Sequence, residues 1–162
     1  MVMRMWEGVV KVTDVVIEDL LQVAASDSKG KAMALLHESE TSPIQEMIIA
    51  WAPGTVADRH ATTQDSESIS CLKGSLSVVV FLADGSCSAR YHMMPPGQGG
   101  VSSIRLSAKT WIAYKAGPQG AVILEHAIGP FSSSNTVHWP LEPEDYSLLD
   151  ATEVVPNLER DE

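Results

Sequence analysis

From residue 31 to residue 131 the chain is a succession of short apolar runs, each bounded by turn-forming residues. KAMALLH and PIQEMIIAWAPG come first; SISCLKGSLSVVVFLADGS holds two more, joined at Lys73-Gly74-Ser75. Three further runs lie between Gly100 and Phe131, separated by Ser107-Ala108-Lys109 and Gly117-Pro118-Gln119-Gly120. Asp84-Gly85 is a hairpin signal, because a tight turn between strands needs positive φ and glycine supplies it. The segment Met93 to Gly100, MMPPGQGG, is too rich in proline and glycine for either regular element. Strands recurring with short turns predict an all-β fold, a sandwich or a jelly-roll barrel.

One stretch before residue 31 has the other periodicity. Thr13 can cap a helix, and Asp14, Glu18 and Asp19 suit the positive end of its dipole. Val16, Ile17, Leu20, Leu21 and Ala24 form an apolar stripe, and Ser28-Lys29-Gly30 ends it. At 162 residues the chain has a single-domain length, enough to bury one sizeable core. Three segments are expected: 1–30, a helical segment packed on the barrel; 31–140, the barrel; and 141–162, an acidic C-terminal segment. In that last part Leu148, Leu149, Val154 and Val155 could dock on the body.

Charge excludes some functions. The net charge is −10, and from Leu141 to Glu162 eight acidic residues stand against one arginine, which is −7 of it. An acidic surface without a basic stripe cannot release counterions from a phosphate backbone, so no nucleic-acid partner is expected. No apolar run approaches the ~20 residues that span a bilayer, so no membrane partner is expected either. Glu7 interrupts any signal-peptide core in MVMRMWEGVV, which favours the cytoplasm. Cys71 and Cys87 read as reduced thiols, with Cys71 packed in the core.

The stretch GTVADRHATTQDSESISCLKG carries a specific spacing. Gly54 is followed after five residues by His60, then after one by Thr62, after four by Glu67 and after six by Gly74. This resembles the first motif of the cupin superfamily, G-x5-H-x-H-x3–4-E-x6-G, with Thr62 in place of the second histidine. The second motif, P-x-G-x-x-H, finds its best counterpart in SAKTWIAYK: Ser107 stands at the proline, Lys109 at the glycine and Ile112 at the histidine. Within the superfamily the chain resembles the WbuC-type cupins, small cupin-fold metalloproteins often found near O-antigen sugar genes. The leading helix, MALLH ending at His37, PIQEMIIAWAPG, EHAIGPF (Glu125 to Phe131) and HWPLEPED carry that likeness, over roughly residues 12 to 145.

The resemblance implies a cupin jelly-roll β-barrel with an N-terminal α-helix, forming a homodimer. It also implies a divalent metal (Zn, Fe, Mn or Ni) held by three histidines and a glutamate at the barrel mouth. Of those ligands His60 and Glu67 stand, while Thr62 is a poor neutral ligand and Ile112 cannot coordinate at all, so the expectation leans to no metal. His60, Glu67, Thr62, Ile112, Tyr114 and His37 are the candidate ligand-binding residues, with His60 and Glu67 as the metal candidates. If His60 and Glu67 touch, the carboxylate should keep the imidazole more protonated than usual. Glu125 and His126 must face opposite sides of a regular strand, and a buried Glu125 needs a partner.

The leading functional expectation is therefore a small polar ligand, of carbohydrate type, in the barrel mouth with the metal site lost or weakened. One alternative is a divalent-metal enzyme, a sugar isomerase, epimerase or dioxygenase, using His60 and Glu67. Another is a structural or protein-interaction role.

Overall fold

A computed structural model describes residues 2–4, 8–62 and 66–150. The first helix, α1 (Asp14–Ser26), begins where the sequence predicts: the Thr13 hydroxyl accepts from the amide of Val16 at 3.4 Å. Ile17, Leu20 and Ala24 are its buried residues. The strands are β1 (Val2–Arg4), β2 (Lys31–Leu35), β3 (Ile44–Trp51), β4 (Val56–Thr62), β5 (Glu67–Phe81), β6 (Cys87–Met93), β7 (Ser103–Leu106), β8 (Trp111–Ile128) and β9 (Thr136–Trp139). A short helix, α2 (Pro143–Asp150), closes the described chain. β1 pairs in parallel with β2 and so adds a strand in the region expected to be purely helical.

The long strands β5 and β8 run antiparallel along nearly their whole length. On one half of this ribbon β3 flanks β8 and β7 flanks β5; on the other, β4 flanks β8 and β6 flanks β5. The nine described strands thus form one sheet folded over on itself. The crease lies at the register shifts between Cys71 and Lys73 and between Gly74 and Leu76. There Gly74 has φ +71°, and a Cβ on it would lie 2.1 Å from the carbonyl oxygen of Gly120. Only glycine fits, both for its dihedral and for its clearance. This corrects the expected break at Lys73-Gly74-Ser75: the two runs are one strand bent at a corner. Gly117-Pro118-Gln119-Gly120 likewise does not split β8, since Leu76 pairs with Ala116 and Gly74 with Ala121, leaving the four residues as a bulge opposite Ser75.

Strand parity sorts the core. Met47, Ile49 and Trp51 of β3 join Ile69, Cys71, Leu76, Val78, Ile112, Tyr114 and Ile123 between the two halves. The alternate residues Ile48 and Ala50, with Ala32 and Ala34 of β2 and Val122 of β8, meet α1 instead. β3 is buried on both faces, which is why PIQEMIIAW reads as a continuous apolar run rather than an alternating one. Leu149 of α2 packs on Val79, Phe81 and Ala113 from outside; Val154 and Val155 lie outside the described residues. No helix among the described residues is long and apolar enough to cross a membrane.

Candidate functional site

β4 is the strand that carries motif one into the site. Its neighbours are β8 on one side and β9 on the other, where His60 pairs with Ile112 and with His138. Beside it opens a cavity of about 610 Å³ whose wall includes His60, Thr62, Glu67 and Tyr114. Four of the six expected residues are therefore brought together. The other two are not. Ile112 points into the barrel on the face of Tyr114 but is fully buried in the core and does not line the cavity. His37 is buried away from the cavity, with Nδ1 3.0 Å from the backbone N–H of Glu46 across the β2–β3 pair. Its place is structural: it ties the end of β2 to β3.

The second-motif alignment has a backbone signature. Lys109, at the glycine of that pattern, has φ +64°, the one left-handed non-glycine residue described. Ile112, compared with the histidine of that pattern, follows three residues later in β8.

Among the polar residues of the wall that sequence reading did not assign to the cavity are Lys31, Glu125 and His138. Lys31 begins β2 on the same parity as Met33 and Leu35, which face the barrel core. Its ammonium lies 5.6 Å from the centroid of the Trp51 ring, and that ring meets Tyr114 at 5.7 Å. Glu125 lies inside and its neighbour His126 outside, where Nε2 stands 3.1 Å from Oε1 of Glu46. The alternation expected of EH in EHAIGPF holds, and Lys31 is the charge that opposes Glu125. The signal for Lys31 was present in the sequence: a charged residue on the inward parity of an otherwise apolar strand.

Burial governs the protonation of this wall. It pushes the Glu67 carboxyl up to about 7, with the negative charge of Glu125 adding to the effect. Glu125 is raised by burial as well, against the pull of Lys31, and its remaining accessible surface faces the cavity. Lys31 is lowered by burial, against Glu125. Burial, then the carboxyls of Glu67 and Glu125, hold the Tyr114 phenol well above its ordinary range, so it is a donor at neutral pH. His60 is lowered, chiefly by burial, while Nδ1 sits 2.8 Å from the carbonyl oxygen of Asp58. A carbonyl only accepts, so Nδ1 bears the proton and Nε2 of the neutral ring carries the lone pair. The increase expected of a touching His60–Glu67 pair does not arise: Glu67 is not among the groups that shift His60, burial lowers the imidazole, and Glu67 is itself driven toward its neutral form.

The donor set does not make the four-ligand metal site of the superfamily. His60 and Glu67 remain, but among the described residues no group of three or more His, Cys, Asp or Glu could hold an ion. Cys71 does not supply a replacement: it is buried off the cavity and burial pushes its thiol up to about 11. What the wall offers includes the carboxyls of Glu67 and Glu125, the Lys31 amine, a phenol donor and the imidazoles of His60 and His138 over an aromatic and aliphatic floor. That is equipment for hydrogen-bonding a small polar molecule and for moving protons on it.

Similar folds occur among solved structures. A protein from Shewanella oneidensis matches with a TM-score of 0.60 at 11% identity, over 76% of this chain and 87% of that one. Oxalate oxidase in complex with the substrate analogue glycolate matches at 0.54 and 12%, over 78% and 69%. A recombinant oxalate oxidase, also with glycolate, matches at 0.54 and 12%, over 70% of this chain and 57% of its own. The chain spans 24% of a Bacillus subtilis oxalate decarboxylase. Identities this low speak for the fold alone, and that fold is the cupin jelly roll. No curated protein matches the sequence. A family model matches residues 12–93, just over half of the chain, and so this cupin-fold protein belongs to the family described as Domain of unknown function (DUF6016).

Proposed function

We propose that the protein is a WbuC-like cupin that binds a small polyhydroxylated molecule, of carbohydrate type, in the barrel mouth. The observation that carries this reading is Glu67: a carboxyl 7% exposed that lines the cavity and is pushed up to about 7, first by burial and then by Glu125. A desolvated carboxyl facing a cavity gains from a hydroxyl brought in by a ligand. Around it the Tyr114 phenol donates and His60 Nε2 accepts, while Trp51 offers a flat apolar face. Alternating donors and acceptors over an aromatic ring match the hydroxyl rim and C–H face of a sugar or sugar alcohol.

An open cavity supports binding over a purely structural barrel. The altered donor set supports binding over metal-dependent catalysis. Titration calorimetry with a panel of neutral hexoses and hexitols tests the reading, together with elemental analysis of protein purified without chelator. Saturable binding of one panel member, weakened at least about tenfold by Glu67→Ala and by Tyr114→Phe, is expected. No binding across the panel overturns the ligand class. Stoichiometric metal that disappears in His60→Ala overturns the reading in favour of a metal enzyme.

A further inference from the structure

We propose that Lys31 is a reactive amine of this cavity, forming an imine with small carbonyl compounds that carry neighbouring hydroxyls, such as hydroxyaldehydes or open-chain sugars. The inference rests on the reading of the cavity as a small-molecule site and adds a covalent step to it.

The placement of Lys31 is what sets it apart. It opens β2, and the strand alternates from it: Lys31, Met33 and Leu35 face the barrel, while Ala32 and Ala34 lie under α1. Its amine is held over the Trp51 ring at 5.6 Å, on the wall that also carries Glu125, Glu67 and Tyr114. Lys11 and Lys29, by contrast, are exposed on the outside and at the rim. An ammonium on an inward strand position is poorly solvated, and an apolar residue there would pack with less desolvation.

Glu125 makes the chemistry possible. Burial drives Lys31 toward the amine and Glu125 toward the acid, while each holds the other charged. One proton moved from the ammonium to the carboxylate, across the cavity wall they share, converts the two opposed charges into a neutral amine and a carboxylic acid. A ligand that displaces water from the cavity favours that transfer, because it deepens the desolvation of both groups. The neutral amine is the nucleophilic form.

The step balances without an added oxidant or reductant. The Lys31 nitrogen lone pair attacks the carbonyl carbon, and the carbonyl oxygen takes the proton held by Glu125, giving a carbinolamine. The nitrogen then returns one proton to Glu125, the hydroxyl leaves as water with that proton, and the C=N bond forms as a protonated imine, which gives its N–H proton back to the Glu125 carboxylate. The net change is amine plus carbonyl to imine plus water.

Trapping tests this directly. The full-length protein is incubated at pH 7 with glycolaldehyde and sodium cyanoborohydride, a hydride donor that reduces the imine to a stable secondary amine, and peptides are quantified by mass spectrometry. Lys31 is expected to be alkylated at least about tenfold faster than the exposed Lys11. Added sorbitol, which has hydroxyls and no carbonyl, is expected to slow labelling of Lys31 and leave Lys11 unchanged. Lys31→Met, checked for its fold by circular dichroism, is expected to remove the fast site alone. Labelling of Lys31 no faster than Lys11 overturns the inference and leaves Lys31 as the structural partner of Glu125. The failures are separable: polyol binding without fast Lys31 labelling removes only the covalent step, while fast labelling without polyol binding removes only the polyol class.

Discussion

Replacing Glu67 with glutamine isolates the charge at the centre of the site. The side chain keeps its shape and its place on the cavity wall but can no longer ionise. Glu67 is 7% exposed, and its pKa is raised by burial and by Glu125 from 4.5 to about 7. A carboxyl raised in this way binds its proton more tightly in the folded state, so it penalises folding only where the unfolded chain has lost that proton. Below about pH 4.5 both states are protonated and no penalty exists. Between there and about pH 7 stability falls by about 1.4 kcal/mol per pH unit, and above pH 7 a penalty of about 3 kcal/mol stands. Glu67→Gln should therefore resemble the wild type at pH 4.5 and exceed its stability by up to about 3 kcal/mol at pH 8. Urea unfolding of both proteins at four or five pH values, with EDTA present throughout, measures the difference curve. Surface carboxyls cancel in that difference. A gap that stays flat from pH 4.5 to 8 would refute the assignment of Glu67 as a desolvated carboxyl.

The corner and the outer lock make further predictions. Gly74→Ala should lose well over 2 kcal/mol, because φ +71° and a contact of 2.1 Å with the Gly120 carbonyl oxygen act together. Gly97→Ala, at φ +85° with open space around it, should lose only about 1 kcal/mol, and equal losses would sink the steric account of the crease. Arg59, next to His60 on β4, is 2% exposed, pairs with the buried Asp145 of α2 and lies between Phe81 and Trp139 at 4.2 and 4.4 Å from their ring centroids. Arg59→Met should cost about 3–5 kcal/mol by stranding the Asp145 charge, and adding Asp145→Leu should recover a large share of it. A double variant no more stable than the single one would show that the pair is not what pins α2.

Much of the fold was legible in order of residues alone. Helix α1 could be read because a cap, an apolar stripe at helical spacing and a stop all fall within one short window, and such local signals do not depend on the rest of the chain. The spacing from Gly54 to Gly74 placed motif one, and with it His60, Thr62 and Glu67, since a strand's parity and a turn's glycines are local properties too. By the same parity rule Glu125 and His126 could be set on opposite faces before any fold was known.

The long-range terms were decided only by the tertiary structure. Gly74 and Gly117 to Gly120 read as chain breaks, because in sequence a glycine at a hairpin and a glycine at a sheet corner look alike. Only the approach of β5 to β8 makes them a bend. Ile112 could be placed on the inward face but not at its depth, so its exclusion from the cavity depended on how far the strands curl. Lys31, Glu125 and His138 come from β2, β8 and β9, more than a hundred residues apart at the extremes, and nothing local marks them as neighbours. The effect of Lys31 and Glu125 on each other's protonation, of Glu125 on Glu67 and of Lys31 on His60 arises with shared burial, and burial is a property of the closed barrel rather than of any segment that builds it.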